Sequence, residues 1–164
     1  MNAAAIVNIG GKSEEYESIR KGLEDSLCEY ISDNFQEIME ADQKDVQYSI
    51  SIFVKEEVIK LCEKNKIELP ENLLSYMVVA VDWEKDQFIL VQWGNGMIFA
   101  EKKAVKCIIS CPSYRETLMG SYSRIKNRDL TKIYVKRGKL YGIKKFIMID
   151  NEELSYNRQK IIER

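Results

Sequence analysis

The sequence predicts one α+β domain in which helices pack over a largely antiparallel sheet. Two amphipathic helical patterns occupy much of the first 65 residues, and short β-branched and aromatic runs separated by turn residues fill much of the remainder. With 164 residues, 45% of them apolar and 31% charged, the chain has the size and composition of a single globular domain, residues 1–164.

The N-terminal part of the chain predicts a strand followed by two helices. Residues 3–9 are small or β-branched, and Gly10-Gly11 ends them as a strand that enters a turn. Apolar residues recur every four positions over 13–39 and again over 46–65, so each range predicts an amphipathic helix. Because the connection between them is short, the two helices should lie antiparallel and side by side.

The rest of the chain predicts strands and a final helix. Strands are expected at 75–83, 87–93, 97–100, 105–110, 131–135 and 145–150, and a terminal helix at 151–164. The first three should form an antiparallel meander, because Gly94-Asn95-Gly96 is a strong hairpin signal: Asn and Gly both tolerate positive φ.

Composition excludes several kinds of enzyme site. The chain has no histidine, so a Ser-His-Asp triad, a Cys-His dyad and a His-ligated zinc are absent. Neither Gly10-Gly11 nor Gly94-Asn95-Gly96 continues into a phosphate-binding or dinucleotide-binding motif. Carboxylate chemistry with hard cations is what remains for catalysis.

Charge and hydropathy indicate the setting and partners of the domain. The net charge is −1, which gives no general attraction to nucleic acid, and no run of about 20 apolar residues is present to cross a membrane. The N-terminus lacks a basic segment ahead of an apolar one, and the four cysteines lack the spacing of a zinc site. We therefore expect a cytoplasmic protein with neither nucleic-acid nor membrane partners.

The order of segments, together with local motifs, resembles the metal-dependent protein phosphatases of the type 2C class in a compact bacterial form. That family has an acid-ended strand followed by glycines and two helices, a Gly-Asp turn, a Ser-Pro segment, and a strand that ends in Asp-Gly. The corresponding segments are 6–11, 94–96, 109–112 and 147–151. The resemblance implies a sandwich of two sheets flanked by helix pairs (αββα). We expect a reduced version, because the family's first strands would precede Ala3 and its closing strand would follow Arg164.

The resemblance also implies two magnesium or manganese ions that activate water to hydrolyse phosphoserine and phosphothreonine. At the matching positions Asn8 replaces the first acid, Ile9 its partner glycine, Asn95 the acid of the turn, and Asn151 the final glycine. Only Asp150 keeps a carboxylate, as a residual metal ligand. Each Asp-to-Asn exchange removes a negative charge that offsets the cost of dehydrating a divalent cation. We therefore expect a degenerate domain, a pseudophosphatase without catalytic residues or a cofactor, that acts as a protein-interaction or regulatory module.

Alternatives remain open from the sequence. An active magnesium- or manganese-dependent serine/threonine phosphatase could complete an atypical site with Asp82, Asp86 or Glu101. Asn95 is also an ordinary turn residue, and Asp150 is also a candidate helix cap. Because an open sheet edge is a template for pairing, we expect a protein partner or self-association through such an edge.

Overall fold

The computed structural model describes residues 1–9, 14–69, 74–94, 96–103, 105–110, 133–150 and 158–164, with the backbone alone over 105–110. The helices of this part are α1 (Glu17–Asp33), α2 (Phe35–Glu40) and α3 (Gln43–Asn65), with a short 3₁₀ turn at Glu14–Tyr16. The strands are β1 (Asn2–Ile9), β2 (Leu74–Asp82), β3 (Gln87–Trp93), β4 (Met97–Lys102), β5 (Val105–Ser110), β6 (Tyr134–Lys139), β7 (Lys145–Ile149) and β8 (Gln159–Glu163).

The described strands form two antiparallel sheets that pack face to face. Sheet A has the order β1-β2-β3-β6, and sheet B has the order β5-β4-β7-β8. Strand β2 is buried on both faces: Met77, Val79 and Val81 contribute to the cluster between the sheets, while Val78 and Ala80 face the helices. The predicted α+β class, an antiparallel sandwich flanked by a helix pair, is therefore confirmed.

The two long helices form the predicted antiparallel pair. Three successive contacts run in opposite directions along them: Gly22 lies against Leu61, the Ser26 hydroxyl donates to Glu57 at 2.9 Å, and Tyr30 stacks on Phe53 with ring centroids 4.1 Å apart. The inner face of the pair is apolar and fully buried, and it includes Leu23, Leu27, Ile31 and Ile50. No helix in the described ranges is long and apolar enough to cross a membrane.

The predicted single helix over 13–39 is broken at Asn34. Helix α1 ends at Asp33 and α2 begins at Phe35, and the Asn34 side chain donates to the Tyr30 carbonyl at 2.9 Å. An amide side chain that bonds to nearby backbone competes with the helical ladder, so the periodicity of the apolar residues predicted the buried face but not this break.

The hairpin prediction at residues 94–96 is wrong. Strand β3 pairs with β2 and β6, and the strand after the turn, β4, belongs to the other sheet. The turn therefore carries the chain from sheet A to sheet B. Gly94 and Gly96 have φ values of +96° and +118°. Residues with side chains rarely adopt this backbone conformation, which here lets the chain change direction. Asn95 lies outside the described residues.

The predicted terminal helix over 151–164 is wrong where the chain is described, because residues 159–163 form strand β8 against β7. Side chains alternate along this strand, so Ile162 is buried between the sheets while Ile161 is 46% exposed. Residues 151–157, including Asn151, lie outside the described part.

Candidate functional site

Two of the positions singled out in the sequence meet at one end of the sandwich. Asn8 lies near the end of β1 and Asp150 directly follows β7, and the two are 8% and 1% exposed. The Asn8 Nδ2 amide donates to Asp150 Oδ1 at 3.3 Å, although 142 residues separate them. The Asn8 Oδ1 oxygen has no hydrogen-bond partner among the described residues.

Arg158, which immediately precedes β8, also lies next to Asp150. The Asp150 amide donates to the Arg158 carbonyl at 2.9 Å, which extends the ladder between β7 and β8 by one pair. The Arg158 Nε lies 3.9 Å from Asp150 Oδ2, and its Nη1 lies 3.0 Å from Glu24 Oε1. The Arg158 guanidinium therefore bridges the Asp150 carboxylate at the end of β7 and the Glu24 carboxylate on α1.

A second cation continues this network. Glu24 is 7% exposed on α1, and its Oε2 lies 2.9 Å from Lys160 Nζ. The same ammonium group donates to the Ala5 carbonyl on β1 at 2.6 Å. The cluster of Glu24, Asp150, Arg158 and Lys160, called here the ionic cluster, contains two carboxylates and two cations and is therefore electrically balanced by its own side chains.

The remaining sequence-predicted positions fall in different places. Ile9 is fully buried in the core beneath the helices. Asn95 and Asn151 are not among the described residues, but Gly96 beside the turn is. A Cβ built on Gly96 would lie 3.0 Å from the Ile149 carbonyl, so the crossing between the sheets passes next to the residue that precedes Asp150. The Gln92 side-chain amide donates to the Gly96 carbonyl at 2.9 Å and holds the turn there.

The acids of the alternative phosphatase site lie far from Asp150. Asn8 pairs with Ser75 at one end of β2, whereas Asp82 lies at the other end, seven residues away and on the order of 20 Å along the strand. Asp86 is in the turn beyond Asp82. Glu101 pairs with Lys145, at the end of β7 remote from Asp150. These three acids do not join the ionic cluster.

The described residues do not fit a two-metal centre. In this part of the chain no group of three or more His, Cys, Asp or Glu side chains could hold a metal ion. Asn8 offers a neutral oxygen, and the Asp150 and Glu24 carboxylates already face Arg158 and Lys160. Two divalent ions need several uncompensated carboxylate oxygens that converge on them.

Reasoning from sequence missed Glu24, Arg158 and Lys160. Glu24 follows Leu23 of the apolar stripe on its helix, and an acidic side chain at such a position is ordinarily expected to be exposed to solvent. Arg158, Lys160 and Ile162 are spaced two residues apart, so their side chains point to the same face of the β8 segment. That spacing was available in the sequence, but it was hidden once the segment was interpreted as a helix.

Comparison with known proteins rests on structure. The sequence matches no protein-family model and no curated protein. A solved structure described as "PppA, a key regulatory component of T6SS in Pseudomonas aeruginosa" superposes with a TM-score of 0.52 and 12% identity, covering 90% of this chain and 64% of that one. An arginine-to-alanine variant of a bacterial serine phosphatase superposes with a TM-score of 0.50 and 11% identity, covering 91% and 64%.

The chain thus spans 64% of the length of each of these two structures. At such low sequence identity the likeness establishes the fold. Both superpositions cover at least 90% of this chain, which includes the two antiparallel sheets and the helices described above. The chain has the fold of the type 2C protein phosphatases.

Proposed function

We propose that this domain is a non-catalytic member of the type 2C fold that acts as a regulatory, protein-binding module. One observation carries the proposal: the Asp150 carboxylate accepts a hydrogen bond from the Asn8 amide and lies 3.9 Å from Arg158 Nε. Asp150 is the acid retained at the motif positions, and its counter-charge is supplied by a side chain of the same chain. With Arg158 as the counter-charge of Asp150, the domain needs no metal ion to stay folded.

Electrostatics supports this view. Two unit charges about 4 Å apart interact by about 4 kcal/mol at an effective dielectric constant of about 20. For a divalent ion about 4 Å from both groups, the repulsion from the Arg158 guanidinium would therefore cancel the attraction of about 8 kcal/mol to the Asp150 carboxylate. A metal would have to displace the guanidinium, and Glu24 and the Val7 carbonyl hold that group from two other sides. Asn8 adds no charge to offset the dehydration of the ion.

The regulatory part of the proposal is motivated by the likeness in fold to PppA. PppA is described as a regulatory component, and that description concerns PppA itself. For this chain we propose a protein partner, with no metal or other cofactor required for the interaction. A cytoplasmic setting belongs to the same proposal, because Cys28 and Cys62 are free thiols.

Titration of the chain with Mn²⁺ in a calorimeter, paired with hydrolysis of a phosphoserine peptide, tests the lack of catalysis. We expect no tight binding and no turnover above the uncatalysed rate. The double variant Asn8→Asp, Arg158→Met is the matched comparison, because it adds a carboxylate and removes the cation; it should bind Mn²⁺ at least about tenfold more tightly than the native chain. Enzyme-like turnover by the native chain, abolished by Asp150→Ala, would overturn the proposal.

A further inference from the structure

Side chains oppose strand addition to sheet A along β1. Lys160 donates to the Ala5 carbonyl at 2.6 Å, Arg158 donates to the Val7 carbonyl, and Arg20 Nη2 lies 3.5 Å from the Ile9 carbonyl. These carbonyls are two residues apart, as expected for the groups that point away from β2. Cationic side chains therefore cover the outer edge of β1.

The opposite edge of sheet A is partly covered, at the start of β6. The Gln47 side-chain amide donates to the Ile133 carbonyl at 2.8 Å, and the Gln43 amide donates to the Val135 carbonyl at 2.8 Å. Both glutamines lie on α3, so the helix pair guards the outward carbonyls at the start of β6. A free edge strand promotes association, and side chains that occupy its acceptors oppose it.

The edge of sheet B formed by β8 differs from both. The Asp150 amide donates to the Arg158 carbonyl, and the Arg164 amide donates to the Lys144 carbonyl. In an antiparallel pair such bonds recur at every second residue, so the backbone N–H and C=O groups of the even-numbered residues of β8 point toward β7. The backbone groups of Gln159, Ile161 and Glu163 consequently point outward. Within the described ranges no hydrogen bond reaches these outward groups.

An apolar row leads to this edge. Phe99, Ile147 and Ile161 are in register across β4, β7 and β8 on the outer face of sheet B. Exposure rises from 7% at Ile147 to 46% at Ile161. The row is therefore uncovered where β8 ends the sheet.

We propose that β8 is the pairing edge of this protein and that its occupant is a second copy of the chain. When two β8 strands pair antiparallel with Ile161 at the centre, residues whose backbone groups point outward lie opposite each other. Ile161 then pairs with Ile161 of the other copy, and Gln159 pairs with Glu163 of the other copy. Hydrogen-bonded pairs then form at all three positions, the Gln159 amide meets a carboxylate, and the apolar row runs on through both copies. The match is self-complementary, as a two-fold interface requires. It does not depend on whether the domain is catalytic.

Sedimentation of the native chain over a wide range of concentrations is the primary test. The average mass should rise from that of the monomer toward twice that value. Hydrogen exchange provides the positional readout: the Ile161 and Glu163 amides should become protected as concentration increases. The Ile162 amide, which faces β7 in both states, should change little.

Substitutions of Ile161 test whether the dimer forms through the β8 edge and not through another surface. Ile161→Pro removes an outward N–H without removing a ladder bond to β7, and Ile161→Lys places a charge in the apolar row. Each should weaken dimerisation at least about tenfold, since the loss of about 1.4 kcal/mol suffices. Ile59→Lys on α3 is the matched control, because Ile59 is 48% exposed, close to the 46% of Ile161.

Three outcomes would overturn the proposal. One is a native chain that remains monomeric at every concentration, including a monomer whose β8 amides are protected only when another protein is added. Another is a dimer that neither Ile161 substitution weakens. The third is a dimer that Ile59→Lys weakens as strongly as Ile161→Lys.

Discussion

Replacing Arg158 by methionine tests the ionic cluster most directly. The substitution keeps an unbranched side chain of similar length and removes the guanidinium. Asp150, which is 1% exposed, then loses the cation 3.9 Å from its Oδ2 oxygen, and Glu24 loses the group 3.0 Å from its Oε1 oxygen. A buried carboxylate left without its cation should destabilise the folded state.

The expected magnitude follows from the burial of the partners. Removing one member of a buried ion pair costs about 3–5 kcal/mol. The Arg158 side chain is 32% exposed, so water screens part of the interaction and roughly 2–3 kcal/mol is expected for Arg158→Met. With a urea m-value of about 2 kcal/mol/M, the unfolding midpoint should fall by about 1–1.5 M.

Urea unfolding followed by circular dichroism, in a double-mutant cycle with Asp150→Asn, measures the pair itself. Asp150→Asn removes the charge that Arg158 compensates, so Arg158→Met should cost about 1–2 kcal/mol less in that background. Arg164→Met, at an exposed residue near the end of the same strand, should stay within about 0.5 kcal/mol. A coupling energy below about 0.5 kcal/mol would refute the assigned role of Arg158.

Two further predictions concern the sheet crossing and a thiol on α1. Gly96→Ala should destabilise the protein by about 2–4 kcal/mol in the same urea assay, because a side chain is strained at a φ of +118° and the new Cβ would lie 3.0 Å from the Ile149 carbonyl oxygen and against Met77. Gly138→Ala, with no atom within 4 Å of the new Cβ, should stay within about 1 kcal/mol, and equal losses would contradict this argument. Burial raises the pKa of the Cys28 thiol from 9.0 to about 11, partly offset by Lys160, so iodoacetamide should alkylate it at pH 8 about a hundredfold more slowly than an unperturbed thiol, as peptide mass spectrometry would show. The stability that this raised pKa contributes is present below pH 9 and lost as the pH rises toward 11; Cys28→Ala should flatten that part of the pH profile, and an unchanged slope would count against the assignment.

Local pattern was sufficient where one interaction dominates. The stripe through Leu23, Leu27 and Ile31 predicted the buried face of α1, since a helix that packs on a sheet needs one apolar side. The β-branched runs predicted β1, β2 and β7 within a residue or two at each end. The resemblance carried by the order of these elements also led to the sandwich architecture, which the structure confirms.

Strand partners were not decided by local pattern. Gly94-Asn95-Gly96 satisfies the requirements of a hairpin turn, yet β3 and β4 lie in different sheets, because a turn constrains the chain direction and not the neighbour that a strand finds. The segment at 159–163 became a strand because β7 offered a free edge and the space between the sheets accepted Ile162. Tertiary contacts overrode the interpretation of the segment as a helix.

For the candidate site, the sequence alone determined which ionisable groups exist: Asn, a neutral residue, stands at positions 8 and 95, and Asp stands at position 150. Only the tertiary structure brought Asn8 and Asp150 within 3.3 Å and set Arg158 beside them. The reason is physical. Residue identity sets which ionic groups exist, but their interaction energy depends on distance and burial, which arise when strands distant along the chain pack together.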